Sequence, residues 1–330
     1  MALPYLKSIE DCGEYARAVE PYIPQLYALP RQLLDNIASS DGLRQLYVDT
    51  NPLISAFAIS VALTVPFLIV SEINKNYSQV DRMWSILPNL YVVHLSIWAR
   101  LAGVSSSRVD LVSLATTLWS CRLTYNYWRK GGYEKGSEDY RWAILQKYVP
   151  RFIWFVFNVT FISCIQSVLL FSFSCVPAYA ILLSTKFEEN VTPADIFFFL
   201  TMVGLVYNFH AAKHKYQAEA KVPQEYSYTQ ADLDRGFNTS GLWAYSRHPN
   251  FAAEQLVCYT LAGSAALIML FQGSTWLTEL ITVGKYSEYP KYQKQVGMFL
   301  PKSLQPYKTP PPKVIRTSDL AKKNESKKEA

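Results

Sequence analysis

The 330 residues are half hydrophobic and 15% aromatic, with 32 basic and 26 acidic side chains for a formal net charge of +6. That length and composition would suit one large or two modest soluble domains, but the apolar residues are gathered into long charge-free runs, which excludes the soluble class. The basic surplus comes without a base-reading motif, so nucleic acid is not an expected partner, and five cysteines without CxxC spacing predict no disulfide framework.

In chain order, Met1 to Thr50 mixes apolar positions with charges, and Pro21, Pro24 and Pro30 act as breaks, predicting short amphipathic helices at a membrane surface. It lacks a basic start followed by an apolar core, so no signal peptide is expected. Apolar segments then follow at Pro52 to Ser71, Met83 to Ala102, Leu111 to Trp128, Phe152 to Ser174, Asp195 to Ala212 and Phe251 to Gln272. A crossing needs roughly 20 apolar residues for about 30 Å of hydrocarbon. The fold class this predicts is all-α, a polytopic membrane helix bundle of six to seven spans. The expected organisation is a polar N-terminal region over 1–50, a membrane domain over 51–300 and a basic disordered tail over 301–330.

Charge predicts the orientation. Arg129 to Arg151 carries six basic and three acidic residues, and Lys285 to Ala330 carries 11 against 4, so both are expected on the cytosolic side together with Lys213 to Asn250. Phe251 to Val283 is too short for two full spans, and a re-entrant hairpin broken near Gly263 or Gly273 would keep the tail cytosolic. Asn190-Val-Thr192 then lies in the lumenal loop, as an acceptor pattern expected to be unoccupied.

Charges within or at the edge of a membrane are costly and mark function. Arg122 and Arg129 stand seven residues apart on one helix face, followed by Glu138, Asp139 and Arg141 in GGYEKGSEDYRW. Such a cluster suits a phosphate-bearing ligand, because guanidinium groups bond phosphate oxygens in pairs; snorkelling arginines at the interface are the plainer alternative. A second cluster, Trp243, Tyr245, Arg247, His248, Asn250 and Glu254, stands at the mouth of the last long apolar segment, and Pro249 favours a turn or helix start there. An aromatic belt at the headgroups is the plainer alternative here. No GxGxxG or P-loop is present, and HAAKH at His210 to His214 lacks the glutamate of a zinc protease, so no metal is expected.

GLWAYSRHPNFAAE, from Gly241 to Glu254, resembles the C-terminal motif of the steroid 5-alpha-reductase-like membrane proteins, commonly GLWxYSRHPNYFGE. VDRMWSILP at Val80 to Pro88, RLTYNYWRKGGYEKGSEDYRW at Arg122 to Trp142, and the closing KYSEYPKYQKQVGMFLP agree with it as well. The resemblance implies an endoplasmic reticulum membrane enzyme that holds NADPH without a Rossmann fold and reduces a carbon–carbon double bond conjugated to a carbonyl in a lipid or steroid-like substrate. By the same resemblance Arg122, Arg129, Asp139, Arg141, Trp243, Arg247, His248, Asn250 and Tyr292 are expected to bind the cofactor, and Tyr245 or Glu254 to donate the proton. Phe251 stands where the family has tyrosine, and Ala252 and Ala253 replace Phe-Gly. The alternative function is an S-adenosylmethionine-dependent methyltransferase of the isoprenylcysteine carboxyl methyltransferase type, which carries a similar RHPxYxG segment; an inactive relative is a third reading. The chain ends KKEA, with Lys327 and Lys328 placed as in a dilysine retrieval signal read by cytosolic coat proteins.

Overall fold

The computed structural model describes residues 2–197, 199–201, 203–204, 235–249, 251–252 and 261–308, and they are helical, with no strand among them. Asn250 and Glu254 lie outside the described residues, as do all of 205–234, with the end of the expected fifth span, 253–260, and the tail beyond 308. The chain forms two compact units, Met1–Asn208 with Ala253–Glu279, and Phe209–Ala252 with Leu280–Ala330.

In the first unit Asn51 starts the first long helix: its side chain accepts from the Leu53 and Ile54 amides at 3.0 and 3.4 Å, and Pro52 takes the first helical position. Both devices suit a helix start, because the first amides have no partner within the helix and proline has none to lose. Pro52–Ala62 and Thr64–Asn74 form one 23-residue run interrupted at Leu63. Pro66, three residues on, has no N–H to return to the carbonyl a turn earlier, which accounts for the interruption. Leu87–Leu101 and Ser107–Arg129 follow. Arg151–Phe157, a π-helical stretch Asn158–Ile165 and Gln166–Ser184 then make a 34-residue run with Pro177 inside it. The 23- and 34-residue runs are long and apolar enough to cross a membrane.

These two runs bury polar residues among their apolar core and leave large apolar residues on the surface. Ser60, Ser71, Asn158, Ser163, Gln166 and Ser167 are buried, while Ile59, Val61, Val65, Ile69, Phe152 and Ile153 are exposed. The core between the helices is closed by Leu95, Trp98, Leu170, Cys175 and Ala178. The N-terminal residues pack against the same core: Leu6 and Ala18 are buried in it, the Tyr179 hydroxyl donates to the Ala18 carbonyl at 3.2 Å, and Lys186 Nζ donates to the Leu6 carbonyl at 2.8 Å.

Two expectations are corrected. Pro30 does not break a helix but lies inside Ile23–Asn36, an exposed surface helix that loses one backbone bond to it and continues. The break near Gly263 or Gly273 is absent, because Leu261–Lys285 is one helix through both glycines. A glycine weakens a helix by only about 1 kcal/mol, less than the partners a broken backbone would lose at depth.

Candidate functional site

In the first unit the polar residues collect where the loop before Leu87–Leu101 meets the stretch Ser137 to Trp142. Asp139 caps the helix Tyr140–Tyr148 by accepting from the Arg141 amide at 2.9 Å. The same carboxylate holds the Arg141 guanidinium in a two-pronged pair, Nε to Oδ1 at 2.8 Å and Nη2 to Oδ2 at 2.7 Å. Arg141 also donates to the Ser274 hydroxyl through Nη1. The loop is fastened across to Asn76 through Arg82: the Asp139 amide donates to Ser78 Oγ at 2.9 Å, the Tyr77 amide to Glu138 Oε1 at 2.7 Å, and Arg82 Nη2 to the Ser137 carbonyl at 2.9 Å.

This arrangement separates two arginines. The charge of Arg141 is answered by Asp139, as fork geometry favours. Arg82 has no carboxylate partner among the described residues, and its Nε is buried without a hydrogen bond. A buried cationic N–H with no acceptor is uncommon in a folded protein and calls for an explanation. Arg122 and Arg129 both lie on Ser107–Arg129, half-buried and engaged in polar or electrostatic contacts, and the Nε of each is, like that of Arg82, buried without a hydrogen bond.

Asp81 accepts from Trp142 Nε1 at 2.8 Å. Burial, with Asp139 beside it, lifts the Asp81 carboxyl above the usual carboxylate range against that opposing bond. With the folded value raised, the folded chain keeps a proton that the unfolded chain releases. Its contribution to stability is therefore greatest below the usual carboxylate range and falls as pH climbs through that range to the folded value. Asp81→Asn keeps an acceptor for Trp142 and removes the titration, so its melting midpoint is expected to vary less than the parent's between about pH 4 and pH 7. Parallel pH profiles for the two proteins would exclude Asp81 as the titrating group.

In the second unit the GLWAYSRHP stretch is clipped to the closing stretch. Gly241–Ala244 forms a short 3-10 turn, Ser246 pairs with Gly297 in a parallel bridge, and the Arg247 and His248 amides donate to the Gly297 and Met298 carbonyls, each at 2.9 Å. A Cβ on Gly297 would lie 1.9 Å from the Leu300 carbonyl oxygen, so only glycine fits the clip. Arg247 Nη1 donates to the Gln293 and Val296 carbonyls at 2.9 and 2.7 Å, at the end of the helix Tyr289–Gln295. Tyr292 is buried among Phe237, Tyr289 and Tyr307 and gives its hydroxyl hydrogen to the Trp243 carbonyl.

The structure thus brings Trp243, Arg247, His248 and Tyr292 together through the clip, and Asp139 and Arg141 through their ion pair. Tyr245 ends the 3-10 turn with its side chain at the surface. The His248 ring stacks on Phe251, the residue that replaces the motif's tyrosine. Asp81 and Arg82 join the site although some 55 to 61 residues separate them from their partners; the sequence signal for them is two charges at the mouth of an apolar segment. Another such signal is Glu279, buried on Leu261–Lys285 one turn beyond the fully buried Thr275.

Residues 67–296, well over half of the chain, match the model of a family described as "Protein of unknown function (DUF1295)". An uncharacterized protein of Schizosaccharomyces pombe is 33% identical over 325 residues, covering 91% of this chain and 93% of its own. No solved structure matches. The family match begins before Asp81 and ends at Val296, spanning the loop of the first unit and nearly all of the clip of the second, and the chain belongs to the DUF1295 family.

Proposed function

We propose that the protein is a multi-spanning membrane reductase that uses NADPH to saturate a carbon–carbon double bond conjugated to a carbonyl in a lipid substrate. The reading starts from the likeness of GLWAYSRHPN, GSEDYR and the closing stretch to the steroid 5-alpha-reductase-like proteins. The structural observation that supports it most is Arg82, whose buried Nε has no acceptor beside the Asp139–Arg141 pair. An anion such as a cofactor phosphate satisfies that group and adds a charge-assisted bond of about 1.5–3 kcal/mol.

The bilayer is supported by the apolar surface that the two long runs expose. Buried serines and asparagine under an exposed layer of isoleucine, valine and phenylalanine suit a hydrocarbon surround, in which the driving force to hide apolar side chains is absent. Six to seven crossings, and the endoplasmic reticulum as the compartment, follow from the apolar segments and the resemblance.

NADPH, when bound, supplies the hydride. By the resemblance the chain's part, to hold and orient it, falls to residues such as Arg122, Arg129, His248 and Asn250, an asparagine being able to read the nicotinamide carboxamide with donor and acceptor together, and Arg82 is added as a cation for a phosphate oxygen. Tyr245 and Glu254 are the candidate donors to the substrate carbonyl, where a proton or strong hydrogen bond stabilises the developing oxyanion.

Equilibrium binding of NADPH and of S-adenosylmethionine to the full-length protein in detergent micelles tests the reading. NADPH is expected to bind, S-adenosylmethionine not, and Arg82→Ala to weaken NADPH about tenfold or more, the equivalent of the lower end of one charge-assisted bond. Binding of S-adenosylmethionine instead, or NADPH affinity unmoved by both Arg82→Ala and Asn250→Asp, would overturn it.

A further inference from the structure

A cleft of about 340 Å³ lies between Ile23–Asn36 and the helix Ser40–Asp49. That volume stands at the lower end for small-ligand sites. Gln25, Gln32 and Asn36 line it from the first helix and Gln45 and Asp49 from the second, with Thr50 next in the chain. Among the described residues no arginine, lysine or aromatic ring lines it, and Asp49 is its one charged side chain.

The hydrogen bonds of the cleft leave acceptors open. Gln25 is fixed at both ends of its carboxamide, Nε2 donating to the Asp49 carbonyl at 3.3 Å and Oε1 accepting from the Asn51 amide at 2.8 Å. Gln45 Nε2 donates to Asp49 Oδ2 at 2.8 Å, Asn36 Nδ2 to the Gln32 carbonyl at 2.9 Å, and the Thr50 hydroxyl to the Leu46 carbonyl at 2.7 Å. These groups donate within the protein, whereas no described donor meets Asp49 Oδ1, Gln45 Oε1 or Asn36 Oδ1. The bond between Gln45 and Asp49 sets two of those oxygens side by side at the C-terminal end of Ser40–Asp49, where the helix dipole also favours a positive charge. A cation that carries several N–H donors suits this end of the cleft.

The cleft stands where the first long apolar run begins. Asp49 and Thr50 come just before Pro52, and the bond from the Asn51 amide to Gln25 ties the cleft to that start. Tyr27, Leu33, Leu34 and Ile37, along and just after the first helix of the cleft, are exposed. Such a helix suits the headgroup layer of a membrane, its apolar side chains reaching the acyl chains.

We infer that the cleft binds the primary ammonium headgroup of an aminophospholipid. The ammonium offers three N–H donors to the oxygens that Asp49 and Gln45 leave open. A trimethylammonium headgroup has no N–H to give and is recognised by aromatic faces, which the cleft lacks. The Gln32 carboxamide makes no bond of its own within the protein and remains as a donor for the adjoining phosphate. The inference rests on the membrane placement proposed above and does not depend on the cofactor.

The test titrates the full-length protein in micelles with a short-chain phosphatidylethanolamine, the matching phosphatidylcholine, and glycerophosphoethanolamine, which keeps the headgroup without acyl chains. Phosphatidylethanolamine is expected to bind at least tenfold more tightly than either of the others. Asp49→Asn keeps an acceptor for Gln45 and removes the charge, so it should weaken that lipid tenfold or more while the melting midpoint of the lipid-free protein stays at the parent's. Asp35→Asn removes an exposed acid outside the cleft lining and should leave the affinity unchanged. The inference is overturned if the two phospholipids bind alike, if Asp49→Asn keeps the parent's affinity, or if Asp35→Asn loses as much. Equal binding of glycerophosphoethanolamine would overturn the lipid assignment in favour of a free amine. NADPH titrated into the same samples separates this from the reductase reading, because a parent that binds phosphatidylethanolamine but not NADPH sinks the reductase alone.

Discussion

Asp139→Ala is expected to lower the stability of the full-length protein by about 3–5 kcal/mol, the range for stripping one partner from a buried ion pair. Two losses combine. Alanine cannot accept from the Arg141 amide, so the helix Tyr140–Tyr148 loses its cap, worth about 1 kcal/mol. The Arg141 guanidinium, three-quarters buried, is left without its carboxylate, and this costs more than the cap. Asp139→Asn keeps the cap acceptor and should recover only the smaller part. Removing the charge on both sides, Asp139→Ala with Arg141→Met, should restore much of the loss, since a buried pair replaced by apolar groups is often near neutral. Urea unfolding in micelles supplies the cycle; if the double variant is as unstable as the sum of the singles, the two side chains are not coupled and the ion pair does not hold the loop. A pair that stabilises in this way positions the loop.

How much of this was legible in sequence depends on the range of the interaction. The start at Pro52 was legible as the beginning of an apolar segment, whereas the caps that set two of the starts, Asn51 before Pro52 and Asp139 before the YRW segment, emerge only in the structure. The apolar runs were readable because their length is set by composition, and their ends moved because composition is silent on where a helix stops; the run expected to end at Ser174 continues through Pro177 to Ser184. Arg122 and Arg129 stand out in sequence as cations in an apolar segment. Arg82 carries only the weaker signal of a charge at the mouth of one, and what distinguishes it from Arg141, the absence of a carboxylate, requires knowing which distant residues lie beside it. Arg247 was legible as a motif residue, but its bonds to the Gln293 and Val296 carbonyls could not be read from residues 46 and 49 positions away.

Those bonds set the last expectation: Arg247→Ala should loosen the clip between the RHP stretch and the closing helix by about 3–6 kcal/mol, two charge-assisted bonds at about 1.5–3 kcal/mol each. The carbonyls of Gln293 and Val296 stand at the end of Tyr289–Gln295, where the helix has no further amides to offer and where its dipole favours a positive charge. One planar guanidinium nitrogen reaches both. A lysine ammonium is a strongly hydrated point charge on a freely rotating stem, so Arg247→Lys should recover no more than about half of the loss. Hydrogen exchange reads the effect locally: the Arg247→Ala protein should exchange faster at the Val296 amide, which bonds the Tyr292 carbonyl at 2.9 Å, while amides of Leu87–Leu101 keep their protection. Unchanged protection at Val296 would show that Arg247 does not hold the clip. Gly297→Ala, which breaks the clip sterically without touching any charge, then separates two roles of the arginine toward NADPH. If both variants lose affinity alike, Arg247 acts by positioning the stretch; if Gly297→Ala binds NADPH and Arg247→Ala does not, the guanidinium itself meets the cofactor.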